Sequence, residues 1–253
     1  MTASYNLAYS LFGIFYLPLF LRRLKQAENP KKLLSERLGF WPNSTASSNR
    51  RAQKLIWIHA VSVGEVMAVK SFLEGFLNRF PGYQILLTTV TPTGQSVAKT
   101  FTTNPRVNLA YFPFDFTFSC RSFFRKWKPE CVCLVETEIW PNFLVEAEKA
   151  QVPVGIINAR LSEKSAGRYG KARTIFRPLF EQLSFVLAQT REDAARFIHL
   201  GVSQDRVETL GNIKFDNVQC APEKFGDDFA LRTKWGFNSE DKIWILGSTH
   251  PGE

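Results

Sequence analysis

Three charged side chains follow apolar runs in a way that could serve group transfer. Glu65 closes HAVSVGE directly after LIWI, Glu136 opens ETEIWPN after CVCLV, and Lys214 lies in GNIKFD after VETL. A carboxylate at the mouth of a helix can act as a catalytic base, and a cation on a rim of carboxylates can stabilise a developing negative charge. Each also has a plain structural reading. Ser62 can cap a helix with Glu65 in its first turn, where negative charge complements the helix dipole, and Lys214 can be an exposed ion-pair partner of little energetic weight. Glu136 and Glu138 stand two apart on what reads as an extended strand end. One is expected to face a cleft and the other to brace a neighbouring loop.

Smaller residues accompany these charges. SVGE and TVTPTG bring Ser62, Gly64, Thr91, Thr93 and Gly94 to helix amino termini, where free amides can hold phosphate or sugar oxygens. The same residues are also ordinary turn and cap chemistry, and neither stretch is a P-loop or a GxGxxG fingerprint. NARLS adds Asn158 and Arg160. Trp140 reads as packing. His59 reads as buried and hydrogen-bonded and His199 as a surface residue, while His250 belongs to a second domain; the three are too scattered for a metal site. Cys131 and Cys133 alternate along one strand and read, with Cys120 and Cys220, as reduced packing residues.

The elements that must position these residues are legible as apolar runs. LIWIHAV, YQILLTTV, NLAYFPF, CVCLVE, VPVGIIN, FVLAQT and VETLGNI alternate with segments able to hold helices. Continuous apolar strands separated by helices predict an α/β fold with a parallel sheet covered on both faces. In such sheets ligands bind outside the carboxyl ends of the strands, and HAVSVGE, TPTG, PFD, ETEIWPN, NARLS, QTRED and GNIKFD all fall there. An eighth run, KIWILGSTH, follows a polar stretch; it is expected to open a second α/β domain, the alternative being that it joins the first sheet. The boundaries expected are an anchor helix over 1–22, a basic amphipathic segment and linker over 23–53, a Rossmann-like domain over 54–220 and the start of a further domain over 221–253.

Composition narrows the partners. The 253 residues hold 32 Lys and Arg against 23 Asp and Glu, a formal net charge of +9, which suits anionic lipid, a phosphorylated substrate or nucleic acid. Zinc-finger spacing and interleaved aromatic and basic residues are both missing from the sequence, so nucleic acid ranks last. Positions 1–21 carry no charge and Arg22, Arg23 and Lys25 follow. That stretch approaches the roughly 20 residues that cross a bilayer and places the body of the protein in the cytoplasm; an interfacial helix lying on the membrane is the alternative.

Taken together, the amino-terminal anchor, ERLGF, HAVSVGE, TTVTPTG, PFD, ETEIWPN, NARLSEKS, QTREDAARF, GNIKFD and GSTHPGE resemble, in family order, the 3-deoxy-D-manno-octulosonic acid (Kdo) transferases. The motifs run through nearly the whole chain, and the resemblance covers the amino-terminal half of the family. It implies the two-domain GT-B glycosyltransferase fold, with this chain supplying the acceptor domain and only the start of the nucleotide-sugar domain. It further implies inverting transfer of Kdo from CMP-Kdo to a lipid A precursor hydroxyl at the inner leaflet of the inner membrane, on its cytoplasmic side; the alternatives are a catalytically incomplete fragment that binds lipid A precursor, and another membrane-associated GT-B transferase using a UDP-sugar. Glu65 matches the family's general base, and Glu136 and Lys214 match positions supporting the transition state. No metal or other cofactor is implied. The basic segment then reads as a head-group surface, with Arg22, Arg23, Lys31, Lys32 and Arg37 meeting phosphates and Leu33, Leu34, Leu38 and Phe40 meeting acyl chains; an ordinary positive-inside flank is the other reading.

Overall fold

The computed structural model describes residues 2–41, 54–217, 232–238 and 240–244. It divides at Asn217 into two compact units. In the second, Arg232 donates to the carbonyls of Asn238 and Asp241, both at 3.1 Å. Residues 242–244 carry no strand, and the rest of the expected KIWILGSTH strand, like the 43–53 linker, Cys220 and His250, lies outside the described residues.

The first unit is built on seven parallel strands: β1 (Lys54–His59), β2 (Tyr83–Thr89), β3 (Val107–Tyr111), β4 (Cys131–Val135), β5 (Val154–Ala159), β6 (Phe185–Ala188) and β7 (Val207–Thr209). The seven apolar runs expected to form the first sheet all became strands. Their spatial order is β3-β2-β1-β4-β5-β6-β7, with β1 paired in parallel to both β2 and β4. The chain therefore builds outward from β1 in one direction, then returns to build outward from β4 in the other. The crevice above β1 and β4 is the topological switch point, where open α/β sheets bind ligands.

Period-two alternation sorts the strand side chains onto two cores. Leu55 and Trp57 of β1 join one, with residues of α6 (Thr117–Trp127), α7 (Pro141–Lys149), α9 (Arg173–Glu181) and α10 (Arg191–Leu200). Ile58 joins the other, with α3 (Val63–Ala68), α4 (Lys70–Arg79) and α5 (Pro92–Lys99). Trp57 is fully buried, stacks on Phe123 at 4.1 Å between centroids and meets Phe143 edge-on at 5.1 Å. Its indole N–H donates to Thr88 Oγ1 at 2.8 Å, so the large ring is buried with no polar atom left over. Cys131 and Cys133 share one face of β4, as alternation requires, and Cys120, Cys131 and Cys133 are free thiols.

Among the described residues no single helix is long and apolar enough to cross a membrane; Tyr5–Leu11 and Gly13–Gln26 meet that test only as a pair bent by 48°. Together they form α1 (Thr2–Gln26), and α2 (Pro30–Arg37) follows. Both ends of α1 pack on the first unit. Tyr5 donates to Asp115 Oδ2 at 2.8 Å and Asn6 to Thr117 Oγ1 at 3.1 Å; Phe20, Leu24 and Ala27 pack with Leu33 and Tyr111. Leu7, Leu11, Ile14 and Phe15 remain exposed. The spanning reading of 1–22 is thus left without a straight apolar rod, and Tyr5 and Asn6 of α1 are bonded to the loop after β3 and to α6.

The basic segment is also divided differently from the lipid-facing set expected for it. Leu33 is buried in the α1–α2 junction. Arg37 is 8% exposed, its Nε donating to the carbonyl of Phe112 at 3.2 Å and its guanidinium lying 4.1 Å over the Phe114 ring. Glu36 accepts from the Tyr111 amide at 2.9 Å. These contacts bind α2 to the end of β3, while Lys31, Lys32, Leu34 and Phe40 stay exposed.

Candidate active site

β1 ends at His59, and the next turn reverses into α3. Ser62 caps α3, its Oγ accepting from the Glu65 amide at 3.4 Å. The Glu65 carboxylate reaches back, accepting from the Val61 amide at 2.8 Å and from Ser62 Oγ at 2.8 Å. This is a capping box, so the structural reading of the motif is realised in full. It does not exclude chemistry. Glu65 is only 9% exposed, and burial pushes its carboxyl above the ordinary value, against hydrogen bonds that pull it down and with the Glu136 charge adding to the rise. Thr190 caps α10 in a similar way, its Oγ1 accepting from the Asp193 amide at 3.1 Å and donating to Asp193 Oδ2 at 2.8 Å. There, however, Asp193 is committed to the Leu161 amide at 2.8 Å and to Arg196. Glu65 differs in facing other carboxylates.

Those carboxylates follow β4. The chain leaves the strand at Val135, and Glu136 takes a left-handed φ of 64°. The expected alternation of Glu136 and Glu138 therefore fails: a strand-end argument assumes extended backbone, and here the backbone turns over at Glu136. Both carboxylates lie close enough to Glu65 to shift titration. Glu138 accepts from the Trp140 indole at 2.8 Å. Burial, then the Glu65 charge, push it up to about 7 from an ordinary 4.5. Sequence reasoning weighs it only as the alternate of Glu136 and leaves it out of the site; the visible signal is a Glu-x-Glu ahead of a tryptophan able to satisfy one carboxylate. Trp140 packs against the core beside Phe112, as expected.

Lys214 comes from the turn after β7. Its Nζ stands 3.1 Å from Glu136 Oε1. Asn158 sets that turn: at the bulged end of β5, with φ 51°, it accepts from the Ile213 amide at 3.1 Å. Thr137 donates to the Arg160 carbonyl, tying the ETEIWPN turn to NARLS, and the Arg160 side chain is exposed. The β1, β4, β5 and β7 ends thus bring Glu65, Glu136, Glu138, Lys214, Asn158 and Arg160 onto one rim.

TVTPTG closes the other side. Thr91 caps α5 by accepting from the Gly94 amide at 3.0 Å, and its hydroxyl lies 3.5 Å from the Val61 carbonyl. A Cβ on Gly94 would stand 2.9 Å from Thr91 Oγ1, so glycine there is a packing need. Gly64 is different: it is exposed, and only Ser62 Oγ, at 3.9 Å, lies within 4 Å of where its Cβ would stand. Thr93 is exposed and donates to Thr91 Oγ1 at 3.4 Å. Arg37, by contrast, is braced against Phe112 and Phe114. His59 is fully buried, stacked on Phe112 at 3.8 Å, and burial lowers it to about 3, leaving a neutral ring. His199 is exposed on α10. Among the described residues no group of three His, Cys, Asp or Glu side chains could hold a metal ion.

Residues 32–217 match the amino-terminal family model described as 3-deoxy-D-manno-octulosonic-acid transferase (kdotransferase). The chain belongs to the Kdo transferase family. The Kdo transferase of Haemophilus influenzae is 35% identical over 223 residues, covering 88% of this chain and 50% of that protein. That of Rickettsia bellii is 33% identical over 254 residues, covering 99% and 57%. The chain spans about half the length of the curated relatives it matches. Among solved structures, UDP-GlcNAc 2-epimerase of Neisseria meningitidis is similar with a TM-score of 0.49 and 14% identity, over 74% of this chain and 55% of that one. HAVSVGE, ETEIWPN and GNIKFD, all within the matched range, are the segments that carry Glu65, Glu136 and Lys214 onto this rim.

Proposed function

We propose that this chain supplies the acceptor side of an inverting transferase of the GT-B type that moves Kdo from CMP-Kdo to a hydroxyl of a lipid A precursor. The observation that carries this reading is the buried, upward-shifted Glu65 carboxylate on the same rim as the Glu136–Lys214 pair. Glu65 takes the proton as the lipid hydroxyl oxygen bonds to the anomeric carbon; the bond from that carbon to the phosphate oxygen breaks, and CMP leaves with the electron pair. A base raised above an ordinary carboxylate holds that proton better, while burial keeps water from competing. Lys214 and Arg160 face the negative charge of the donor, and the carboxylates face the positive charge growing on the sugar. Ser62, Gly64, Thr91, Thr93 and Gly94 frame amide-rich turns for substrate oxygens. Donor-nucleotide contacts are assigned to the part of the longer relatives that this chain does not span.

The acceptor is taken from a membrane. Exposed Leu7, Leu11, Ile14 and Phe15, with Arg22, Lys31 and Lys32 nearby in sequence, suit an interfacial helix on an anionic inner leaflet facing the cytoplasm. The deciding experiment is a transfer assay with CMP-Kdo and tetraacylated lipid A precursor on a form that includes this chain and the remaining length of its relatives. Glu65→Gln is expected to stay folded and to lose at least about a hundredfold in rate; near-normal transfer would remove Glu65 from the base role.

A further inference from the structure

The PFD turn and Asn142 have no role in the chemistry above, yet they form a densely bonded polar cluster. Asp115 is 1% exposed. Its Oδ1 accepts from the Phe143 amide at 2.8 Å and its Oδ2 from the Asn142 amide at 3.2 Å, so it caps α7 from another loop. The same Oδ2 accepts from the Tyr5 hydroxyl at 2.8 Å. The Asn142 side-chain amide donates to the Asp115 carbonyl and, at 2.7 Å, to Asn6 Oδ1. Asn6 in turn donates to Thr117 Oγ1, which donates to Asn142 Oδ1 at 3.3 Å. Burial raises the Asp115 carboxyl, and these donors hold it down.

We propose that α1 is part of the site as well as a membrane element: Tyr5 and Asn6 are positioning residues that act through Asp115 and Asn142 to hold the first turn of α7, and with it the Glu136–Trp140 segment. The mechanical link is Pro141, the first residue of α7. Its ring fixes φ, so the direction of α7 passes to Trp140 with little slack. Trp140 is bonded to Glu138, and the backbone runs on to Glu136 and its Lys214 partner. The catalytic meaning of this link rests on the transferase reading; the mechanical part does not.

Hydrogen exchange on this chain tests the mechanical part. In Tyr5→Phe and in Asn6→Ala, amides of residues 136–144 should exchange about fivefold faster, the effect of one lost hydrogen bond, with β2 and β5 unchanged. Unchanged exchange at 136–144, or equal acceleration throughout the sheet, overturns the proposal. In the full-length transferase, Tyr5→Phe should lower kcat about fivefold at unchanged acceptor KM; a raised KM at normal kcat would make α1 an acceptor contact instead. Absence of Kdo transfer by the unaltered protein would sink the transferase reading and leave the exchange result standing.

Discussion

Lys214 Nζ lies 3.1 Å from Glu136 Oε1, joining turns 78 residues apart in sequence across the carboxyl ends of β4 and β7. Both side chains are partly exposed, at 47% and 27%, so the pair contributes little to stability, within about 1 kcal/mol. Its weight is expected in rate. Lys214→Met should leave the melting temperature almost unmoved and lower transfer by about a hundredfold or more. Glu136→Gln should lose less, since the cation stays. Equal transfer by Lys214→Met and the unaltered protein would assign the pair to the surface.

Glu65 predicts the acid side of the pH profile. A base works only when deprotonated, and burial holds this carboxyl above its ordinary 4.5. Transfer should therefore rise with pH through a midpoint above that value, and Glu65→Gln should abolish that limb. A kcat/KM profile with an acid limb at an ordinary carboxylate value would contradict the assignment.

Glu138 predicts a stability effect of definite sign. The unfolded chain gives up this proton near 4.5, the folded chain near 7. The stability tied to the protonated form is complete below the lower value and is lost as pH rises through the upper one. Glu138→Gln keeps an acceptor for the Trp140 indole and removes the charge. It should raise the melting temperature at about pH 8 and leave it nearly unchanged at about pH 4. The same shift at both values would show that Glu138 titrates normally.

The two rim glycines should separate under mutation. Gly94→Ala puts a Cβ 2.9 Å from Thr91 Oγ1 and is expected to cost about 1–3 kcal/mol by chemical denaturation. Gly64→Ala puts a methyl group in the first turn of α3 with only Ser62 Oγ near it, at 3.9 Å, so stability should hold or rise by up to about 1 kcal/mol, while transfer falls as the methyl group enters the space kept for substrate. Unimpaired transfer by a stable Gly64→Ala protein would mean that no ligand approaches that turn.

Much of the fold was legible because each strand of the sheet is a short apolar run and several helix starts carry a local cap. Ser62, Thr91 and Thr190 cap as their local sequences imply. What sequence could not supply was contact at a distance. The cap of α7 is Asp115, 27 residues upstream of Asn142, so no local pattern reveals it. Glu136 and Asn158 adopt left-handed backbone without being glycine, which alternation arguments cannot anticipate. The apolar stretch before Arg22 read as an anchor because hydropathy weighs side chains singly; the partners of Tyr5 and Asn6, more than 100 residues away, are invisible to it. Leu33 and Arg37 left the lipid-facing set for the same reason.

The capping box around Glu65 also means that acid–base chemistry there cannot be silent. The carboxylate accepts from the Val61 amide and the Ser62 hydroxyl, and a carboxylic acid accepts such bonds less strongly than a carboxylate. Each proton arriving at Glu65 loosens the first turn of α3, and each proton leaving tightens it again. If Glu65 is the base proposed above, the turn between β1 and α3 relaxes each time it takes the acceptor proton, and the amide signals of Val61 and Glu65 report the proton's whereabouts.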